Sequence, residues 1–248
     1  MRWTTLGAYD RIPGGGRHGL QALAICTLLV ASAAVAFGPY RANDLPAEQL
    51  APHGSLAMEE QMKRLDELLP ARDVTQPPDG IDTEMWALFV PDDNGMSAER
   101  VALGRKLYFD FRLSADGTVS CATCHDVSRG FTDQRPTSEG IRDQLGRRNA
   151  PTTMNAFFYD TLFLDGRVAS LEEQAEFPPI NPVEGGHPER EDVLAAIAGD
   201  EQYQKDFQAA FGRAPRFDDM VRAIAAFQRT LVFLDLSLIH ISEPTRPY

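Results

Sequence analysis

The pentapeptide Cys121-Ala122-Thr123-Cys124-His125 constrains this chain more than any other stretch of it. Two thiols separated by two residues and followed at once by an imidazole suit the covalent attachment of a haem. Both cysteines must meet one porphyrin edge, and the next residue must reach the iron as its axial ligand. The spacing has two competing uses. A thioredoxin-like redox pair wants a strand-loop-helix setting, which the flanking residues do not offer. A zinc site needs four ligands, and the third cysteine, Cys26, lies alone in an apolar stretch far away. Cys121 and Cys124 are too close to staple a large loop, so no disulfide scaffold is expected. Haem c is therefore the expected cofactor, held by Cys121, Cys124 and His125, with His125 as the axial metal ligand.

The N-terminus agrees, because c-type haem is attached outside the inner membrane. Residues 1–19 carry Arg2, Arg11, Arg17 and His18 against one acid, Asp10, and residues 20–38 hold no charge. With Ala34 and Ala36 at its end, this pattern reads as a secretory signal peptide. About 18 apolar residues also just span a bilayer, so an uncleaved anchor is the alternative. The Ala and Ser content favours cleavage. Either way the chain beyond about residue 45 is expected in the periplasm, free or anchored to the inner membrane. The formal charge is −12 with three lysines, Lys63, Lys106 and Lys205. That balance excludes a nucleic-acid partner, which needs clustered cations.

The rest reads as helices joined by long loops. Met58, Met62, Leu65 and Leu69 recur at helical spacing, with Pro70 closing the segment. Pro77-Pro78, Asp79-Gly80 and Pro91 mark residues 71–96 as loop or linker. Ser97 can cap a helix running to about Phe109. Residues 126–153 look like one long loop, and long loops are more often functional than idle. Ser170 with Glu173 forms a capping box opening a helix of about two turns, which Pro178, Pro179 and Pro182 stop. Helices follow near 189–199 and 201–211, and a last one has Met220, Ile224, Phe227 and Leu231 on one face. No sustained period-2 alternation occurs. The tail LSLIHISEPTRPY resembles the translated read-through of a sequencing adaptor. Residues 236–248, His240 included, are set aside as an artefactual tail.

The runs LGRKLYFDFRLSADGTVSCATCHD, GFTD, GRRNAPTTMNAFF, LFLDGR, SLEEQA and NPVEGG, in this order, resemble the N-terminal half of bacterial di-haem cytochrome c peroxidases, a group that includes MauG. The resemblance covers roughly residues 95–234. It implies a mainly α fold with long loops, a cytochrome c-like haem domain that is one half of a two-domain di-haem protein. The organisation expected is a signal peptide or membrane anchor over 1–40, an N-terminal helical extension and linker over 41–94, and the peroxidatic haem domain over 95–235. The full-length protein would carry two haems, and this chain would end before the second. Glu184 matches the family's distal acid, which moves a proton between the peroxide oxygens. Gln174 matches the distal-pocket glutamine. Asn149 matches a ligand of the calcium ion between the two domains. Read from the residues alone, Glu184 is a solvated loop acid, Gln174 a helix-surface residue and Asn149 a turn former.

Two departures qualify that likeness. Residues 126–186 contain no histidine, so the family's capping ligand is absent from its usual loop. An open distal site is therefore expected, and His187, beside Pro188, reads as a surface residue. Leu164 stands where the family usually has a tryptophan that relays electrons between the haems, and leucine has no accessible oxidised state. The activity implied is reduction of hydrogen peroxide, with electrons from a small donor protein such as a c-type cytochrome. Alternatives are a MauG-like oxidation of a protein or organic substrate and a non-enzymatic electron carrier, for which Met154 is the nearest methionine after the motif. The family also implies a homodimer of the full-length protein.

Overall fold

The apolar stripe of Met220, Ile224 and Phe227 belongs to a helix that is buried almost all round, since Val221, Ala223, Ala225 and Ala226 are covered as well. A helix apolar on every side belongs at the centre of its domain. A computed structural model describes residues 58–69 and 71–234. Among them the α-helices are α1 (Met58–Leu68), α2 (Thr83–Phe89), α3 (Ala98–Tyr108), α4 (Cys121–Cys124), α5 (Leu171–Ile180), α6 (Arg190–Ala198), α7 (Glu201–Phe211) and α8 (Phe217–Gln228). There is no strand among the described residues. Isolated bridges between Asp126 and Thr132, Glu139 and Leu145, and Leu162 and Val168 pin three loops.

α3 crosses α8 backbone to backbone. A Cβ on Gly104 would lie 1.8 Å from the Ala223 carbonyl oxygen, so only glycine allows the approach. Leu103 and Leu107 on α3 pack with Val193, Ile197, Tyr203 and Phe207 from α6 and α7. On the other side of the crossing, Tyr108, Phe109 and Phe227 gather with Ala122, Val127, Phe131 and Leu65, which brings the Cys-x-x-Cys-His segment onto the α3–α8 core. The helix starts follow their caps. Ser97 accepts from Arg100 N–H at 3.2 Å and Ser170 from Glu173 N–H at 3.0 Å. Glu173 returns its bond one residue early, accepting from Ala169 N–H rather than from Ser170.

Three expectations are corrected. Residues 71–96 are not all linker, because Asp82 caps α2 by accepting from Met85 N–H. α2 then buries Trp86 edge-on against Phe157 at 5.5 Å. Pro178 and Pro179 do not stop α5; they form its last turn, and the helix runs on to Ile180. His187 is not a surface residue, being 9% exposed. A buried ion pair ties the extension to the core: Arg229 holds Glu172 at 2.7 and 2.8 Å and donates to Phe89 O, and Asn94 donates to the same carboxylate. The charge-free stretch 20–38, Cys26 and the tail 236–248 lie outside the described residues. Among the described residues no helix is long and apolar enough to cross a membrane.

Candidate functional site

α4 is a single turn, held by reciprocal bonds between Ser120 and Thr123. Its brevity has a use. Positions i and i+3 of a helix share a face, so Cys121 and Cys124 present their thiols on one side. His125 closes the turn, its N–H on Cys121 O at 2.9 Å. The imidazole Nδ1 lies 3.2 Å from Phe131 O, and the Pro151 carbonyl also acts on the ring. A carbonyl acceptor places the proton on Nδ1 and leaves Nε2 with its lone pair, the usual arrangement of a metal-ligating histidine. Burial pushes the imidazole pKa down, against the opposing influence of those carbonyls and of Asp133, which keeps the ring neutral and able to ligate.

Loop geometry sustains this arrangement. Phe131 adopts φ 60°, which turns its carbonyl onto the ring, and its N–H is tied to Asp126 O at 2.8 Å. The fully buried Tyr108 hydroxyl lies 3.3 Å from Thr153 Oγ1 and donates to His125 O at 3.4 Å. It thereby joins α3 to the segment that carries Pro151.

The thiols themselves argue for attachment and against redox exchange. Burial foremost, with the charge of Glu184 adding to it, pushes both up to about 12. A catalytic dithiol needs the opposite, a lowered thiol pKa. Asp133 is 3% exposed, its Oδ2 has no hydrogen-bond partner, and its charge acts on both Cys124 and His125. Two thiols on one face, a neutral oriented imidazole and an unsatisfied buried oxygen beside them fit a covalently held haem.

The charge of Glu184 acts on the same thiols. It lies on the turn Asn181-Pro182-Val183-Glu184 after α5, where Gly185 N–H bonds to Pro178 O and His187 N–H to Pro179 O. The two prolines thus turn their carbonyls to the turn and fasten it. The opposite wall is the backbone at residues 140–141, with Ile141 N–H bonded to Val183 O and Glu184 O. Gly140 is required there, since a Cβ would lie 1.8 Å from Val183 O. The Glu184 side chain is exposed, yet the crowding of its carboxyl by neighbouring atoms raises the pKa above the usual glutamate value, and the Arg167 guanidinium opposes that rise. Arg167 is stacked 3.4 Å over the Phe163 ring and paired with Asp165.

Gln174 is half-buried on α5, ten residues before Glu184, and its side chain makes no hydrogen bond among the described residues. Its amide is therefore available to a ligand. Asn149 is exposed, and no cluster of three or more acids, histidines or cysteines forms a metal site among the described residues. Met154 packs against the cluster that contains Phe131, with its methyl beside Gly130. Leu164 is 56% exposed on the loop that carries Arg167. Sequence reasoning missed Asn181, Arg167, Asp133 and Tyr108. Only Asn181 gave a signal, as the Asn-Pro start of a turn.

Residues 98–237 match the family described as di-haem cytochrome c peroxidase. The chain is 39% identical over 146 residues to cytochrome c peroxidase Ccp of Escherichia coli K12, covering 59% of this chain and 31% of that protein. It is 36% identical over 165 residues to methylamine utilization protein MauG of Paracoccus denitrificans, covering 56% and 42%. A solved structure of a MauG-like protein associated with microbial copper homeostasis aligns with a TM-score of 0.57 at 34% identity, over 64% of this chain and 48% of that one. The chain therefore spans less than half the length of these curated relatives.

Proposed function

The chain belongs to the di-haem cytochrome c peroxidase family, and from that membership we propose that it serves the haem c-dependent reduction of hydrogen peroxide to water. Cys121 and Cys124 form the two thioether links, and His125 offers Nε2 to the iron. The haem, once bound, supplies the binding site for peroxide and the redox chemistry that cleaves its O–O bond. Glu184 takes the proton from the nearer peroxide oxygen and returns it to the departing one. A carboxyl whose pKa is drawn from the usual glutamate value toward neutrality can do both. Gln174 donates a hydrogen bond to the bound peroxide. The Phe131 carbonyl keeps His125 in the tautomer that ligates.

The observation that carries this reading is the convergence of Glu184 with the attachment thiols. A carboxyl of raised pKa acts electrostatically on both Cys121 and Cys124. A carrier cytochrome needs a second strong ligand instead, and residues 126–186 hold no histidine to supply one. Electrons come from a small c-type cytochrome or similar donor by way of a second haem in the full-length protein. Asn149 contributes to a calcium site completed by that other half, which also forms the homodimer. The protein works in the periplasm, exported by residues 1–40. The test is Glu184→Gln in full-length, haem-loaded protein. Peroxide turnover should fall by about 10²-fold or more, the usual scale of general acid–base catalysis. Undiminished turnover would overturn the role of Glu184.

A further inference from the structure

We propose that Asn181 is the positioning residue of the distal acid: its side-chain amide fixes Glu184 Oε1 in one orientation and favours the carboxylate over the protonated acid. The inference rests on the reading of Glu184 as the acid–base group. Asn181 ends α5, its N–H bonded to Phe177 O at 2.9 Å. Its Oδ1 accepts from Val183 N–H at 2.9 Å, and its Nδ2 donates to Glu184 Oε1 at 3.1 Å. Its carbonyl accepts from Glu184 N–H and Gly186 N–H. The Val183 N–H settles which way the amide faces. It can pair only with the oxygen, so the NH₂ must point at Glu184. A donor held on a carboxylate strengthens as the group ionises, and so favours that form.

The other groups around Glu184 sharpen the assignment. Crowding of the carboxyl by neighbouring atoms works against ionisation, and Arg167 from the loop 163–167 works for it. Cys121 and Cys124 on α4 lie within the electrostatic reach of Glu184, but as thioethers they carry no titrating proton. The segment 140–143 packs its backbone against the turn and carries Arg142 and Asp143, Arg142 N–H being bonded to Asp116. α5 contributes the carbonyls of Pro178 and Pro179. Asn181 is thus the neutral donor on a carboxylate whose cationic influence comes from Arg167.

The variant that isolates this role is Asn181→Asp in full-length, haem-loaded protein. It keeps an oxygen for Val183 N–H and turns the donor facing Glu184 into a second acceptor. Two readouts apply: the carboxyl titration of Glu184, followed by infrared difference spectroscopy and assigned with Glu184→Gln, and the pH profile of kcat/KM for peroxide. The Glu184 titration should move up by about one unit or more. Because the base must be ionised to accept a proton, the acid limb of kcat/KM should rise with it. Asn181→Ser, whose shorter side chain withdraws the amide donor from Glu184 without adding a charge, should shift both in the same direction by less, and it carries the test if the aspartate variant does not fold. A Glu184 titration that stays at the wild-type pH in either folded variant overturns the role of Asn181, whatever the turnover. Full turnover in Glu184→Gln overturns the reading beneath it and leaves the titration result standing.

Discussion

The crossing of α3 with α8 and the loop between residues 126 and 167 are built by different means. The helices are capped, apolar and closely packed, and none of their residues has a positive φ. Every non-glycine residue with a positive φ among the described residues lies in the loop: Phe131, Gln134, Arg142, Asp143, Asn155 and Phe163. Such backbone costs on the order of 1–3 kcal/mol per residue and persists only where surroundings over-determine it. Here the surroundings are the core helices. Tyr108 of α3 reaches Thr153, and the N–H of the strained Asn155 bonds to Leu231 O just after α8. The comparison teaches that the helices hold a shape their own sequence prefers, whereas the site loops hold a shape the helices impose.

Three substitutions probe that division. Phe207→Ala strikes the helical frame, since Phe207 is fully buried among α3, α6 and α7. It should cost about 3–5 kcal/mol in chemical denaturation. A much smaller loss would mean that the frame is not the rigid partner. Tyr108→Phe strikes the seam. It removes one buried hydroxyl, leaves the ring packing intact and should cost about 1–2 kcal/mol. Hydrogen exchange should then quicken in the segment 151–155 before it quickens in α3; equal loosening of both would dissolve the distinction. Gln134→Gly strikes the loop itself. Gln134 is exposed with φ 55°, so glycine relieves the backbone and should stabilise the fold by about 0.5–1 kcal/mol. A loss of stability there would show that the loop is not strained at that residue.

The same division decided what could be read from the sequence. Ser97, Ser170 and the Met220–Leu231 stripe announced their helices because caps and periodicity are local signals. α2 escaped notice because seven residues show no clear period and prolines flank them at 77, 78 and 91. Pro178 and Pro179 misled because a proline lacks only its N–H, while its carbonyl remains free to serve a neighbour. His187 looked exposed for a related reason: the bond from its N–H to Pro179 O that draws it inward depends on tertiary folding. In the site, the motif and its resemblance marked Cys121, Cys124, His125, Gln174 and Glu184. Asn181, Arg167 and Asp133 stayed hidden because their roles exist only after remote backbone segments converge.

The proline pair at the end of α5 bears on motion as well as placement. The amides of Gly185 and His187 end on carbonyls of the helix's last turn, so that turn cannot fray without releasing the segment that bears Glu184. Two successive pyrrolidine rings also restrict the wandering of that segment before it docks. Helix end and acid-bearing turn therefore open and close as one cooperative unit, on the timescale of local unfolding rather than that of a free loop. Glu184 is as steady as the helix its turn is fastened to.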